Sequence, residues 1–261
     1  MSQLTAAGIA RYLPADSLWH LEVQQCVDST NTRMKSMAAG LPAGSVLIAE
    51  QQTAGRGRMT RSFFSPPHCG LYASMLLRPE LSAADGLLFT PAAAAAAAEA
   101  IEEVCGISVG IKWVNYLLLN GRKVGGILPE STLTGEGRLS AVIVGIGINV
   151  YAPDKGYPAE LESVAAPLFA VRDGDDIRPP LCAALLTHCE EIFSRLPETD
   201  FLAEYRRRSL VLGREVTLFP GGERVFVEGI DDRCRLIVRD ADGVCRTVST
   251  GECSVRDIES S

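Results

Sequence analysis

Apolar and polar positions alternate over residues 19–27, which predicts a strand. Asp28-Ser29-Thr30 then offers side-chain oxygens where a helix begins, over 31–39, and Gly40 and Pro42 end it. The apolar run 45–50 reads as a short buried strand leading straight into a glycine-rich loop, a common place for a ligand. Residues 70–77 form the next strand, 89–105 an alanine-rich helix packed closely on a sheet, and 109–113 another strand. Residues 117–119 and 123–128 flank Asn120-Gly121, a pair that favours the tight turn with positive φ at both central positions, so they read as a hairpin. Gly135 and Gly137 mark a turn before a long strand over 139–150, rich in β-branched residues.

Short turns between neighbouring strands make the sheet mixed or mainly antiparallel, since a doubly wound parallel sheet requires more crossover helices. Residues 151–178 are proline-rich and irregular, and are expected to wander over the surface. Leu181, Leu185, Cys189, Ile192, Phe193 and Leu196 recur at helical spacing, and 201–208 reads as the last helix of this unit. From Arg214 onward short apolar strands are punctuated by Pro220-Gly221-Gly222, Asp231-Asp232 and Asp240 to Gly243. That pattern predicts a small antiparallel barrel or sandwich of about five strands. The division is a catalytic-size unit over 1–209 and a small β unit over 210–261.

A net charge of -7 and a pI near 5.1 argue against general affinity for nucleic acid or anionic membrane. Neither unit is basic. The eight cysteines form no CxxC pair and no ligand spacing with the three histidines, so free thiols in a reducing compartment are expected, with no disulfide framework and no structural metal. The N-terminus has no basic-then-apolar signal, and the apolar stretch 91–98 is closed by Glu99, Glu102 and Glu103 well short of a membrane span. A cytoplasmic protein is expected.

The chemistry concentrates in two segments, Ala49 to Arg58 (AEQQTAGRGR) and Lys112 to Gly126 (KWVNYLLLNGRKVGG). The first lacks the Gly-Lys-Ser or Gly-Lys-Thr ending of a phosphate loop, and no long helix opens after it as in a dinucleotide fingerprint. It satisfies another requirement: glycines let main-chain N–H groups turn toward an anion while arginines supply forked charged donors. Cations from two segments can stabilise a crowded phosphate more in a transition state than in bound substrates. His68-Cys69 and His188-Cys189 offer no third orienting residue, so their thiols read as core or pocket-edge groups rather than nucleophiles.

These two segments, with Asp28-Ser29-Thr30-Asn31 and Gly145-Ile146-Gly147-Ile148-Asn149-Val150, resemble the biotin protein ligases, the biotin-[acetyl-CoA-carboxylase] ligase family, over about 19–258. The resemblance implies an α+β chain: a mixed, mainly antiparallel sheet packed with helices, in the class II aminoacyl-tRNA synthetase-like biotin ligase catalytic fold, plus a small C-terminal SH3-like β-barrel. It implies the monofunctional form, without the N-terminal DNA-binding domain of the ligase-repressors. Ser29, Thr30 and Gln52 look like the contacts to the biotin ureido ring, with Gly55, Arg56 and Gly126 also lining the biotin and acyl-phosphate pocket. Arg58 corresponds to the mobile loop that closes over the adenylate, and Lys123 to the family's essential lysine, with Arg56 the third catalytic position. Phe63, Asn115 and Asn149, with Arg58 and Lys123, look like the nucleotide contacts. ATP and Mg²⁺ with biotin as substrate, a biotin carboxyl carrier protein as partner and a homodimer through the sheet are also implied.

Several positions depart from the family pattern. Phe63 replaces Trp, Thr60 and Gly70 replace Gly and Asn, and Val114 replaces Pro. Tyr116 replaces an Asp, so a larger phenol, neutral near pH 7, stands where an ionised acceptor is usual. Two alternatives follow: a diverged non-catalytic biotin-binding or carrier-interaction protein, supported by Tyr116, and a lipoate- or octanoyl-type acyltransferase. Trp113 reads as core.

Overall fold

A computed structural model describes residues 4–254. Helix α1 (Ala6–Ala10) precedes strand β1 (His20–Gln24), helix α2 (Thr30–Met37) and strands β2 (Ser45–Ala49) and β3 (Gly70–Leu77). Helix α3 (Phe89–Cys105) leads into β4 (Gly110–Lys112), β5 (Tyr116–Leu119), β6 (Arg122–Leu133) and β7 (Leu139–Asn149), then α4 (Arg178–Ser194) and α5 (Leu202–Arg207). The seven strands form one sheet in the order β1-β2-β3-β7-β6-β5-β4, with β1 and β2 parallel and every other pair antiparallel. The α+β, mainly antiparallel expectation holds. Asn120 and Gly121 adopt φ of 50° and 79° at the tip of the β5–β6 hairpin, as their chemistry requires.

Side chains on successive strand residues point to opposite faces, and this alternation separates core from site. Leu71, Ala73 and Met75 of β3 and Val142, Val144, Ile146 and Ile148 of β7 face the main core with α3 and α4. Ala92 to Ala98 are fully buried there; methyl side chains let α3 lie close against the sheet on one side and α4 on the other. The opposite face carries α2, whose Met34 packs on Leu47, Leu76, Ala141 and Ile143. Next to that small cluster the same face presents Ser74, Gly145 and Gly147, polar or bare positions that leave room above the sheet.

The region 151–178 is irregular and largely at the surface as expected, with 154–164 and 170–175 mostly exposed, but its C-terminal end is buried. Arg178, the first residue of α4, is 1% exposed and donates to both oxygens of Asp176 and to Glu50 Oε1. Glu50 also accepts the His68 backbone N–H at 2.8 Å. One buried guanidinium therefore ties the end of β2 and the start of α4 to the loop before β3.

The C-terminal barrel is a second correction. Strands β8 (Glu215–Phe219), β9 (Glu223–Ile230), β10 (Leu236–Arg239), β11 (Cys245–Val248) and β12 (Glu252–Ser254) form five strands in the order β11-β10-β9-β8-β12. Among the described residues β11 and β12 do not pair, the sheet neither closes nor curls, and no SH3-like β-barrel is present. The physical reason lies in where its apolar face goes. Val216, Val225, Val227, Leu236 and Val238 join the main core instead of packing across a barrel interior. The indole N–H of Trp113 donates to Cys234 O at 2.9 Å, and Arg206 Nε donates to Ile230 O at 3.0 Å, two bonds that tie the end of the β9–β10 pair to the first unit. Trp113 is core, 3% exposed.

Among the described residues no helix is long and apolar enough to cross a membrane. Replacing Arg178 by Met should lower the unfolding free energy by about 3–5 kcal/mol, because Glu50 and Asp176 would lose their buried counter-charge, with only Arg172 left 3.7 Å from Asp176. Denaturant titration checks this, and a loss below about 1 kcal/mol would contradict a pairing role.

Candidate active site

Polar groups at the start of α2 and the end of β2 build one side of the pocket. Ser29 caps α2, its hydroxyl accepting the Thr32 N–H at 3.4 Å. Thr30 gives its backbone N–H at 2.8 Å and its hydroxyl at 3.2 Å to Gln52 Oε1, and the Gln52 amide donates to Ser65 Oγ at 2.8 Å. Ser74 Oγ lies 2.8 Å from Thr30 Oγ1 and 2.6 Å from Asn31 Oδ1. Asn31 Nδ2 donates at 3.0 Å to both Leu128 O and Glu130 Oε2. The result is a buried set of donors and acceptors held in fixed directions.

The glycine-rich loop and the β5–β6 hairpin build the other side. Arg58 donates to Asn115 Oδ1 at 3.3 Å, and Asn115 is itself fixed by reciprocal 3.0 Å bonds with Ile127. Lys123 Nζ lies 3.8 Å from the centre of the Tyr116 ring and 5.4 Å from that of Phe63. Asn149 Nδ2 donates to Lys123 O at 3.4 Å and Ala166 O at 3.3 Å. Arg56 sits at the rim, half exposed, paired with Glu130 at 2.8 Å.

Bare backbone makes the floor. A Cβ on Gly147 would come within 2.7 Å of the Phe63 ring, one on Gly145 within 2.1 Å of Asn31 Oδ1, and one on Gly126 within 3.2 Å of Lys123 Cε. Met59 and Thr60 turn the loop with φ of 52° and 63°, a left-handed conformation that disfavours a β-branched Thr. At Gly70 an added Cβ would lie 2.2 Å from the Tyr72 ring, so the buried Tyr72 occupies the space a larger residue at 70 would need.

Ser29, Thr30, Gln52, Arg56, Arg58, Phe63, Asn115, Lys123 and Gly126 all line one narrow cavity of about 40 Å³. A second, of about 500 Å³, is lined by Arg61, Lys112, Asn149 and Tyr157. Arg58, Phe63, Tyr116 and Lys123 border both, so they stand at the junction. Gly55 lines neither; it lies beneath the loop, where a Cβ would meet Phe63 O at 2.4 Å. Sequence reasoning did not single out Asn31, Ser65, Ser74, Glu130 or Arg61 for the site. The available signal was a polar Ser74 within an otherwise apolar strand.

Burial, reinforced by the nearby charges of Arg61 and Lys112 and opposed by Glu252, lowers the Lys123 pKa from 10.5 to about 8. The ammonium therefore persists at neutral pH but is easily lost above it. Three buried cysteines are not poised for chemistry: burial pushes the Cys182 thiol up to about 12 and raises those of Cys69 and Cys189. Among the described residues no three His, Cys, Asp or Glu side chains are grouped to hold a metal ion.

Fold and site together define an α+β protein in which a narrow cavity lined by polar groups opens beside a wider one lined by cationic side chains. Residues 23–149 match the biotin/lipoate A/B protein ligase family, and 211–256 match the biotin protein ligase C terminal domain. The biotin--[acetyl-CoA-carboxylase] ligase of Paracoccus denitrificans is 35% identical over 83% of this chain and 92% of its own length. The bifunctional ligase/repressor BirA of Bacillus spizizenii is 39% identical over 57% of this chain, and the match spans only 46% of that relative. Among solved structures, the Aquifex aeolicus biotin protein ligase in complex with biotin and ATP superposes with a TM-score of 0.74 at 30% identity, covering 91% of this chain and 98% of that one. The chain belongs to the biotin/lipoate A/B protein ligase family.

With ¹³C-labelled lysine, the Lys123 resonance should titrate with a midpoint near 8. Its folded pKa lies below the unfolded value, so its cost to stability is present below about pH 8 and is relieved as pH rises toward 10.5. A midpoint above 10 would show that the ammonium is neither desolvated nor crowded by other cations.

Proposed function

We propose that the protein joins biotin to MgATP, forming biotinyl-5′-adenylate and pyrophosphate, and then passes the biotinyl group to a lysine of a biotin carboxyl carrier protein. One observation carries this reading: Lys123, Arg58, Phe63 and Tyr116 border both cavities, so a group in the narrow one meets a group in the wider one beside cationic side chains. The named relatives support the substrates, since they include a biotin--[acetyl-CoA-carboxylase] ligase and a ligase bound to biotin and ATP.

In this reading the Thr30–Gln52–Ser65 chain and Asn31 hold the ureido ring, whose carbonyl and two N–H groups need both donors and acceptors. A biotin carboxylate oxygen attacks the α-phosphorus, the bond to the bridging oxygen breaks, and pyrophosphate leaves. Negative charge builds on the α-phosphate oxygens during that step. Lys123 and Arg58 stabilise it most at the transition state, as charges fixed in a partly dry site. Magnesium is taken as part of the MgATP substrate, where its charge would offset that of the triphosphate. In the second step the carrier lysine amine attacks the acyl carbon, AMP departs, and the amine loses a proton. No enzyme nucleophile is needed. The Tyr157 hydroxyl, buried without a partner among the described residues on the wall of the wider cavity, is available to the nucleotide.

The purified protein, given biotin, MgATP and a carrier domain, should release pyrophosphate only with biotin present. Lys123→Gln should reduce kcat/KM for that release by roughly 10²- to 10³-fold. Its thermal midpoint should not fall, because the lost ammonium was desolvated. Unchanged pyrophosphate release in the variant would refute the role of Lys123. Biotin binding with no release in the parent would sink the enzymatic reading in favour of a binding protein.

A further inference from the structure

Two arginines of the glycine-rich loop reach the same turn of the C-terminal sheet. Arg61 pairs with Glu252 Oε2 at 2.7 Å, and Arg58 donates to the Gly251 carbonyl at 3.5 Å. Tyr116 completes the contact: its hydroxyl accepts from Arg61 at 3.1 Å and donates to Glu252 Oε1 at 3.4 Å. The same phenol ring lies 3.8 Å from Lys123 Nζ. The Glu252 side chain is only 14% exposed, so its carboxylate depends on these donors. Antiparallel pairing of β12 with β8 fixes the turn, and at Gly251, with φ of 125°, an added Cβ would lie 2.8 Å from Phe219 O. The narrow cavity beneath the loop, about 40 Å³, is too small for more than a water or two. Its floor is packed sheet, so the position of the loop decides how much space the pocket has.

We propose that the Gly251–Glu252 turn is a clasp that the C-terminal sheet provides to hold the arginine loop over the pocket, with Glu252 as a positioning residue for Arg61, Tyr116 and, through the phenol ring, Lys123. The proposal rests on the adenylation reading above. It also gives Tyr116 a purpose. Where the family pattern has Asp on β5, this chain places a phenol whose hydroxyl links to a carboxylate from the other sheet. The loop lifts to admit biotin, and when the clasp re-forms over the bound ligands, Arg58 and Lys123 share one cavity and water is excluded from the reactive anhydride. When it is open, charge and shielding are lost together.

The test combines limited trypsin digestion with a mutant cycle on biotin-dependent pyrophosphate release. In Glu252→Gln, cleavage after Arg58 and Arg61, read by mass spectrometry under native conditions, should quicken roughly tenfold while cleavage elsewhere stays constant. An unchanged loop cleavage rate overturns the clasp whether or not the protein makes adenylate. Arg61→Gln approaches the contact from the loop and leaves the C-terminal sheet intact, so it guards against misfolding of the first variant. Each single substitution should lower kcat/KM by roughly tenfold, and the double variant should be no worse than the weaker single. Multiplying effects would show that Arg61 and Glu252 act separately, which overturns the proposal. The pH profile adds an independent readout. Arg61 and Lys112 lower the Lys123 pKa while Glu252 raises it, so the alkaline limb of kcat/KM should move to lower pH in Glu252→Gln. An unmoved limb overturns the reach of the clasp to Lys123. A parent protein that releases no pyrophosphate overturns the activity reading instead, and the digestion alone then decides the clasp.

Discussion

Arg61 and Lys112 crowd the Lys123 ammonium in a partly buried pocket that Arg58 also lines, and the fold around them is arranged to keep them there. Like charges gathered away from water are unfavourable unless something answers them. Three kinds of group do so here. Glu130 and Glu252 pair with Arg56 and Arg61, the Tyr116 ring lies under the Lys123 ammonium, and the Asn115 carbonyl accepts from Arg58. These partners compensate in part only, as the lowered pKa of Lys123 records. The remaining positive potential is what an incoming phosphate would satisfy, so the cost of assembling the pocket in the free protein becomes binding and transition-state stabilisation for an anion.

That constraint explains the use of the sheet's two faces. Period-two alternation in β3 and β7 sends branched apolar side chains to α3 and α4, and leaves serine and glycine on the other side. Backbone there can approach the ligand and the Phe63 ring closely, as the overlap of any Cβ at Gly145 or Gly147 shows. The hairpin then projects Lys123 over this floor, and the buried Arg178 cluster anchors the strand from which the arginine loop departs.

Much of this was legible in the chain because it depends on local pattern. The strand over 70–77 and the helix over 89–105 fall where apolar spacing put them, and Asn120-Gly121 marks its turn. Most of the site residues named by the family resemblance meet in one cavity. The remainder depends on distant partners. Five C-terminal strands were readable, but whether their apolar face closes into a barrel or joins the main core is a matter of tertiary contact, and here it joins the core. Arg178 and Asp176 lie in a polar, proline-rich stretch that reads as solvated until Glu50, 128 positions away in sequence, is placed beside them. Glu252 is likewise 136 positions from Tyr116, and no periodicity could join them. Tyr116 looked like a lost acid in isolation; beside Glu252 it is part of a contact between two sheets.

The most direct test is a crystal structure with biotin and a non-hydrolysable ATP analogue bound together. The account predicts the biotin ring against Thr30, Asn31 and Gln52, and its carboxylate beside the α-phosphate at the junction of the two cavities. Lys123 Nζ and the Arg58 guanidinium should both lie within hydrogen-bond distance of those oxygens. A triphosphate bound elsewhere, with Lys123 still resting on the Tyr116 ring and touching neither ligand, would contradict it.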